Sequence, residues 1–300
     1  MSSTEAEGER FGLVLGGGGA RGFAHLGVLQ VLQEEGLRPD LVVGTSMGSL
    51  MGAAFAAGVD LHKLPKVLKE LDINGIIGVS PVGRHEIEKL IGRSLTEQFR
   101  RSHWDDQGEE RSAQLDRMYR FFQLFTKGNA IEDLEIAFAA IATDLRTGKE
   151  IVLREGKLYK AVTASSAIPG FISPVKWKDR LLIDGGVVDK VPTNVAVDMG
   201  ADIVLAADVS SRLEGLPQNS VELLLRADVM TSRELVRVKN ERARRRLEGR
   251  LLVVHPRMKD LNWLDFSQVE EALEIGRKCA LDNLDRIERL LKGREVGPVG

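Results

Sequence analysis

Ser46 stands in Gly44-Thr45-Ser46-Met47-Gly48, a G-x-S-x-G pentapeptide in which two glycines frame a serine. On so tight a turn between a strand and a helix, a serine hydroxyl projects from the sheet edge and can attack a carbonyl carbon. The same serine would also suit a helix N-cap. A second cluster, Gly16 to Gly19 followed by Ala20-Arg21-Gly22, lies one βα unit upstream. Its backbone N–H groups can face an oxygen that becomes negative, each such donor being worth roughly 10² to 10³ in rate. G-x-G-x-x-G is also the dinucleotide fingerprint, which calls for an acidic residue at the end of the next strand. Here Asp40 opens that strand and Gly44 to Ser46 occupy its end. Gly17, Gly18 and Gly19 therefore read as an oxyanion hole, with Gly22 closing the motif. Arg21 either adds positive charge or is a solvated residue of the first helical turn. Further on, Asp184-Gly185-Gly186 leaves a carboxylate open at a strand end, although turn aspartates are common in any protein.

The elements that must position these residues follow from hydrophobic spacing. Phe11–Leu15 is a short apolar run, as expected of a buried parallel strand. The spacing predicts a helix over Arg21–Glu35, a strand over Asp40–Val43 and a helix of small residues over Ser46–Ala57 that lies close on the sheet. From Leu61 to Lys127 the pattern is mainly helical. Leu115, Met118, Tyr119 and Phe122 form an apolar stripe widened by Phe121, Leu124 and Phe125, and Arg100–Arg111 looks like an exposed loop. The stripe reads equally as a core helix or as a lid or acyl-chain channel. A hairpin is expected from Ile136–Ala142 and Glu150–Leu153. A helix over Ala161–Ala167 and strands over Leu181–Ile183, Ile203–Asp208 and Leu251–His255 follow. Long helices are expected over Val221–Leu247 and Val269–Leu291. Ser165 and Ser166 lack the glycine frame of a nucleophile and read as a packing or cap segment. This βα alternation argues for one α/β domain over 11–210, with a helical insertion near 61–130. Residues 1–10 are expected to be a disordered tail, and 211–300 a C-terminal helical extension packed on the same domain.

Bulk properties narrow the classes. Of 300 residues, 43% are hydrophobic, enough for a substantial core, and the net charge of −2 gives no global field for nucleic acid. The single cysteine, Cys279, excludes an intrachain disulfide and fits a reducing compartment. The N-terminus has no signal-peptide core and no apolar run approaches the roughly 18 residues of a membrane span. A soluble cytoplasmic protein is expected, with peripheral contact at the inner membrane face left open.

Taken in order, GGGGARG, GTSMGS, ATDLRTG, ASSAIPG and LIDGGVVDKVPT resemble the patatin-like phospholipase family in its bacterial branch. The match runs from about Phe11 to about Ser210. The resemblance implies a three-layer α/β/α sandwich with a mainly parallel central sheet. It also implies a Ser-Asp dyad without histidine: Ser46 as nucleophile, Asp184 as base, and Gly17, Gly18, Gly19 and the Met47 N–H as oxyanion donors, with Arg21, Gly22, Gly44, Gly48, Gly185 and Gly186 in supporting motifs. A phospholipid or related acyl ester would be the substrate, and neither metal nor cofactor is implied. Plant patatins begin the glycine motif with aspartate where this chain has Gly16, a difference that leaves the donors untouched.

Ser46, Asp184 and His255 also follow the chain order of an α/β-hydrolase triad, so His255 is the rival base. His25 reads as structural, and His62, His85 and His103 carry no signal. The basic run Arg233–Arg250 reads as a solvated face, with anionic lipid as the alternative. Outside the enzymes, a lipid-binding protein that keeps the fold remains a rival.

Overall fold

A computed structural model of the chain describes residues 8–77, 109–210, 216, 220–258 and 261–292. Eight strands form one sheet: β1 (Phe11–Leu15), β2 (Leu41–Thr45), β3 (Ala137–Asp144), β4 (Glu150–Leu153), β5 (Val175–Trp177), β6 (Arg180–Asp184), β7 (Ile203–Ala207) and β8 (Leu251–Val254). Their order is β5-β6-β3-β2-β1-β7-β8, with β4 also paired to β3. The run from β3 to β8 is parallel, whereas β4 and β6 pair antiparallel with β3, and β5 with β6.

Strand alternation divides the core in two. Phe11, Leu13 and Leu15 of β1 and Leu205 of β7 face one apolar layer; Val14 and Val204 face the other. The first layer holds α1 (Ala24–Glu34), α2 (Met47–Ala56) and the helices Glu109–Thr126, Leu158–Ser165 and Val269–Asp282. The second holds Thr193–Asp198 and the part of Ser220–Arg246 around Val236 and Ala243. The result is a three-layer α/β/α sandwich.

Several boundaries differ from the hydrophobic pattern. Gly19–Phe23 form a 3₁₀ turn, so α1 begins at Ala24 rather than Arg21. β2 runs on to Thr45, delivering Ser46 directly from the strand. The three-residue β5 was invisible to periodicity; Lys178, at φ +55°, turns it into β6. The long helix expected over Val269–Leu291 breaks at Asn283. Glu9 and Arg10, expected in a free tail, are anchored: Arg10 donates to Asp202 and to the Met199 carbonyl, and Glu9 pairs with Arg250. Residues 1–7 lie outside the described set. The loop expected over Arg100–Arg111 is helical from Glu109 onward, and its earlier part lies outside the described residues. Beyond residue 210 the chain adds the edge strand β8 as well as helices.

Candidate active site

Ser46 is the hinge of a strained turn. It sits at φ +53°, ψ −126°, a region non-glycine residues rarely adopt, at a cost of about 1–3 kcal/mol. The surroundings enforce it. The Ser46 N–H donates to the Ser165 hydroxyl at 2.9 Å, and the Ser46 carbonyl accepts from the Ser49 N–H at 2.9 Å and the Ser49 hydroxyl at 2.7 Å. α2 then folds back so closely that only glycine fits its flanks. A Cβ at Gly44 would stand 2.5 Å from the Ser49 Cα, and one at Gly48 2.1 Å from the Leu15 carbonyl oxygen.

Asp184 arrives from the opposite direction. β6 runs antiparallel to β3, which runs parallel to β2, and the register sets Asp184 against Ala142 and Thr45 against Ile141. The chain must then cross β3 toward the end of β2. It does so over Ile141, where a Cβ on Gly185 would stand 2.2 Å from the Ile141 carbonyl oxygen. The Asp184 carboxylate accepts from the Gly186 N–H at 2.7 Å, and the Ser46 hydroxyl is near enough to favour its anion. Its own backbone is pinned by the Asp184 N–H to the Ala167 carbonyl and by the Thr143 hydroxyl to the Asp184 carbonyl. Burial pushes its carboxyl up to about 6, against the Ser46 hydroxyl, the Gly186 N–H and the nearby Lys190 charge, which favour the anion.

The glycine loop follows β1. Gly16 donates to the Ala207 carbonyl, while its own carbonyl meets His25 Nε2 at 2.7 Å. An acceptor carbonyl requires that nitrogen to carry the proton, and burial, which lowers the imidazole to about 4, keeps His25 neutral. Gly17 departs from the sequence expectation. Its N–H donates to the Lys190 carbonyl at 2.9 Å and is not directed at an oxyanion. The N–H groups of Gly18 and Gly19 have no partner among the described residues, and that of Met47, first residue of α2, has no intrahelical acceptor. Gly19 takes φ +58° with Trp263 pressed against it, and Trp263 also accepts the Ala20 N–H at 2.8 Å.

The remaining sequence candidates separate. Gly22 packs against Met47, where a Cβ would stand 2.3 Å from its Cγ. Arg21 donates to the Leu261 carbonyl at 2.9 Å and so ties the loop before Trp263 to the glycine turn. His255 lies 3.5 Å from Asp208 and does not line the cleft around Ser46. Ser165 and Ala167, read as a packing or cap segment, hold the main chain of Ser46 and Asp184: the Ser165 hydroxyl and the Ala167 carbonyl accept their N–H groups. Their one sequence signal was a motif of small residues, ASSAIPG.

Two cavities meet at Ser46. An open cleft of about 320 Å³ is lined by the glycine loop, Asp184, Lys190, Asp228 and Trp263. Adjoining it at Ser46, Gly19 and Ile168 is an apolar pouch of only about 30 Å³, walled by Met47, Leu50, Met118, Phe121 and Phe122. Of the apolar stripe on the helix Glu109–Thr126, Leu115, Met118, Phe121, Phe122 and Phe125 are buried and Leu124 is exposed, and Met118, Phe121 and Phe122 wall this pouch. On the helix Ser220–Arg246, Arg237 pairs with Glu234 and Glu241, and Lys239 with Asp189 and Glu150, so much of its basic charge is bound within the protein. Among the described residues no helix is long and apolar enough to cross a membrane, and no three metal-ligating side chains converge.

A family model described as patatin-like phospholipase matches residues 13–197. Uncharacterized NTE family proteins of Mycobacterium bovis and Mycobacterium tuberculosis are each 32% identical over 297 residues, covering 91% of this chain and 46% of the relative. A lysophospholipase NTE1 of Pyricularia oryzae is 27% identical over 305 residues, covering 93% of this chain and 19% of that protein. The chain therefore spans less than half the length of these curated relatives. Among solved structures, VipD from Legionella pneumophila aligns with a TM-score of 0.48 at 15% identity, covering 95% of this chain and 69% of VipD.

Proposed function

The chain belongs to the patatin-like phospholipase family, and on that footing we propose that it is a serine acyl hydrolase, cleaving a fatty-acyl ester of a phospholipid or lysophospholipid through Ser46 and Asp184. The observation that carries this reading is the buried Asp184 carboxylate lining one cleft with the strained Ser46, whose hydroxyl favours its anion, with no histidine among the described residues of that lining.

In this mechanism Asp184 takes the Ser46 proton as Oγ forms a bond to the ester carbon. The carbonyl oxygen becomes an oxyanion, held by N–H groups of Gly18, Gly19 and Met47. The tetrahedral centre collapses, the bond to the leaving oxygen breaks, and Asp184 returns its proton to that oxygen. Water then attacks the acyl-enzyme with Asp184 again as base, the Ser46 oxygen leaves with the proton, and the fatty acid departs. A base near 6 is matched to this work at neutral pH, because it is ionised yet more basic than an ordinary aspartate.

The pouch supports an acyl subsite, since its walls are apolar and include two methionines, which yield easily to an entering chain. The rim supports contact with a lipid surface: Val187 lines the cleft and is exposed, as are Leu223 and Met230 on the helix that carries Asp228. The free, half-buried Cys279 supports a reducing compartment.

The test is fatty-acid release from a lysophospholipid and from p-nitrophenyl esters. Ser46→Ala and Asp184→Asn should each lose about 10³-fold or more, with His255→Ala close to wild type. Loss at His255 in a folded protein would replace the dyad by a triad, and a wild type inert on every ester would overturn the hydrolase reading.

A further inference from the structure

Two charged side chains in the cleft have no part in the chemistry just described. Lys190 follows the Asp184-Gly185-Gly186 turn, and its carbonyl anchors the glycine loop through Gly17. Its stem reaches back toward Gly186, its Cγ 4.0 Å from where a Gly186 Cβ would stand, and its charge is felt at Asp184. Asp228 lines the same cleft from the helix Ser220–Arg246. Neither lies within 4.0 Å of an opposite charge among the described residues, including each other. The indole of Trp263 lines the same cleft beside Gly19, braced edge-to-face by Phe171 at 5.7 Å.

The two linings differ in character. The apolar pouch shares Ser46 with the cleft but none of its charged groups, whereas the cation, the anion and the indole line the cleft alone. If the acyl chain takes the pouch, the leaving alcohol must lie in the cleft. A phosphate there would meet the Lys190 ammonium. An amine linked to it would find the Asp228 carboxylate and an aromatic face suited to a quaternary or primary ammonium. A purely anionic headgroup would face Asp228 without compensation, and a neutral glyceride would leave Lys190 unpaired.

We propose that Lys190 and Asp228 together select a zwitterionic leaving group, a phosphodiester bearing an ammonium. The proposal rests on the hydrolase reading only in taking the Ser46 cleft as the place where the lipid binds.

The experiment compares kcat/KM of the full chain on three substrates with one acyl chain: lysophosphatidylcholine, lysophosphatidylglycerol and monoacylglycerol. Wild type should prefer the first. Lys190→Met should lower the phosphatidylcholine-to-glyceride ratio by about tenfold or more. Asp228→Asn, at a more exposed charge, should lower the phosphatidylcholine-to-phosphatidylglycerol ratio by about threefold to fivefold. Any effect of Lys190 through Asp184 strikes all three substrates alike and cancels in the ratios. Ratios unmoved in both variants would overturn the proposal while leaving the hydrolase intact. Binding of dodecylphosphocholine below its micellar concentration, read by calorimetry on Ser46→Ala, needs no hydrolysis. Binding that Lys190→Met weakens in that background supports the headgroup site even if no ester is cleaved, and binding indifferent to Lys190 and Asp228 overturns it.

Discussion

Ser165 and Ser46 are joined by a 2.9 Å hydrogen bond in which the Ser46 N–H is the donor and the Ser165 hydroxyl the acceptor. The bond occupies the Ser46 amide and holds the turn that presents its hydroxyl. The next residues, Ser166 and Ala167, lead to the carbonyl that pins the Asp184 N–H. One short segment at the end of the helix Leu158–Ser165 thus positions both members of the proposed dyad.

Asp184 should set the acid limb of activity. With its carboxyl held near 6 by burial, kcat/KM should rise with pH as a single ionisation centred there, and His255→Ala should leave that limb in place. The same shift affects stability. The folded-state value lies above the ordinary 3.8, so ionising Asp184 costs stability as pH rises from 3.8 through about 6. Asp184→Asn escapes that loss. It should gain on the order of 2 kcal/mol, a Tm higher by about 4 °C at neutral pH, with the gain fading as pH falls toward 4. Thermal melts of both proteins across that range check the sign.

The elbow should respond to glycine in opposite ways. Ser46→Gly removes the backbone strain at φ +53° and should raise stability by about 1 kcal/mol with activity abolished, while Ser46→Ala keeps the strain. Gly48→Ala forces a methyl onto the Leu15 carbonyl and should cost about 3 kcal/mol or more, because the obstacle is backbone. Denaturant midpoints distinguish the three variants.

His25 should act on the glycine loop without titrating. Its neutral ring donates to the Gly16 carbonyl from a fully buried site. His25→Phe should lower kcat about tenfold with KM changed less than about twofold, since loop placement matters most when the oxyanion forms. His25→Gln, which retains a donor, should recover part of the loss. Nδ1 of His25 has no partner among the described residues, so phenylalanine also removes an unsatisfied buried atom and stability should fall less than activity. Equal losses in kcat and in folded fraction would make His25 purely structural.

Chain-length preference should follow the pouch. At about 30 Å³ it holds roughly the volume of a single water, so an acyl chain must displace Met118 or Phe121. Phe121→Ala should shift the optimum to longer p-nitrophenyl esters, and Met118→Trp to shorter ones by about tenfold in relative kcat/KM. An unchanged chain-length profile in both variants would place the acyl chain elsewhere.

Much of this architecture was legible in the sequence because it is written in local signals. Continuous apolar runs marked β1, β2 and β7, and glycine-framed turns marked Ser46 and Asp184 at strand ends. The unread parts depend on contacts between distant segments. Whether the Gly17 N–H is available depends on where the Lys190 carbonyl lands, and no spacing rule reports that. Ser165 looks like any small helical residue until the Ser46 amide is placed against it. β5, at three residues, is too short for alternation to register. The antiparallel course of β6, which lets Asp184 approach Ser46 across β3, is a matter of topology and leaves no mark on the residues of β6 itself.

The most direct test of the central claim is intact-mass analysis after reaction with an alkyl fluorophosphonate, followed by peptide mapping. The account predicts one adduct per chain, on Ser46, forming much more slowly in Asp184→Asn and at an undiminished rate in His255→Ala. No adduct on the folded wild type, or one that persists in Ser46→Ala, would contradict it.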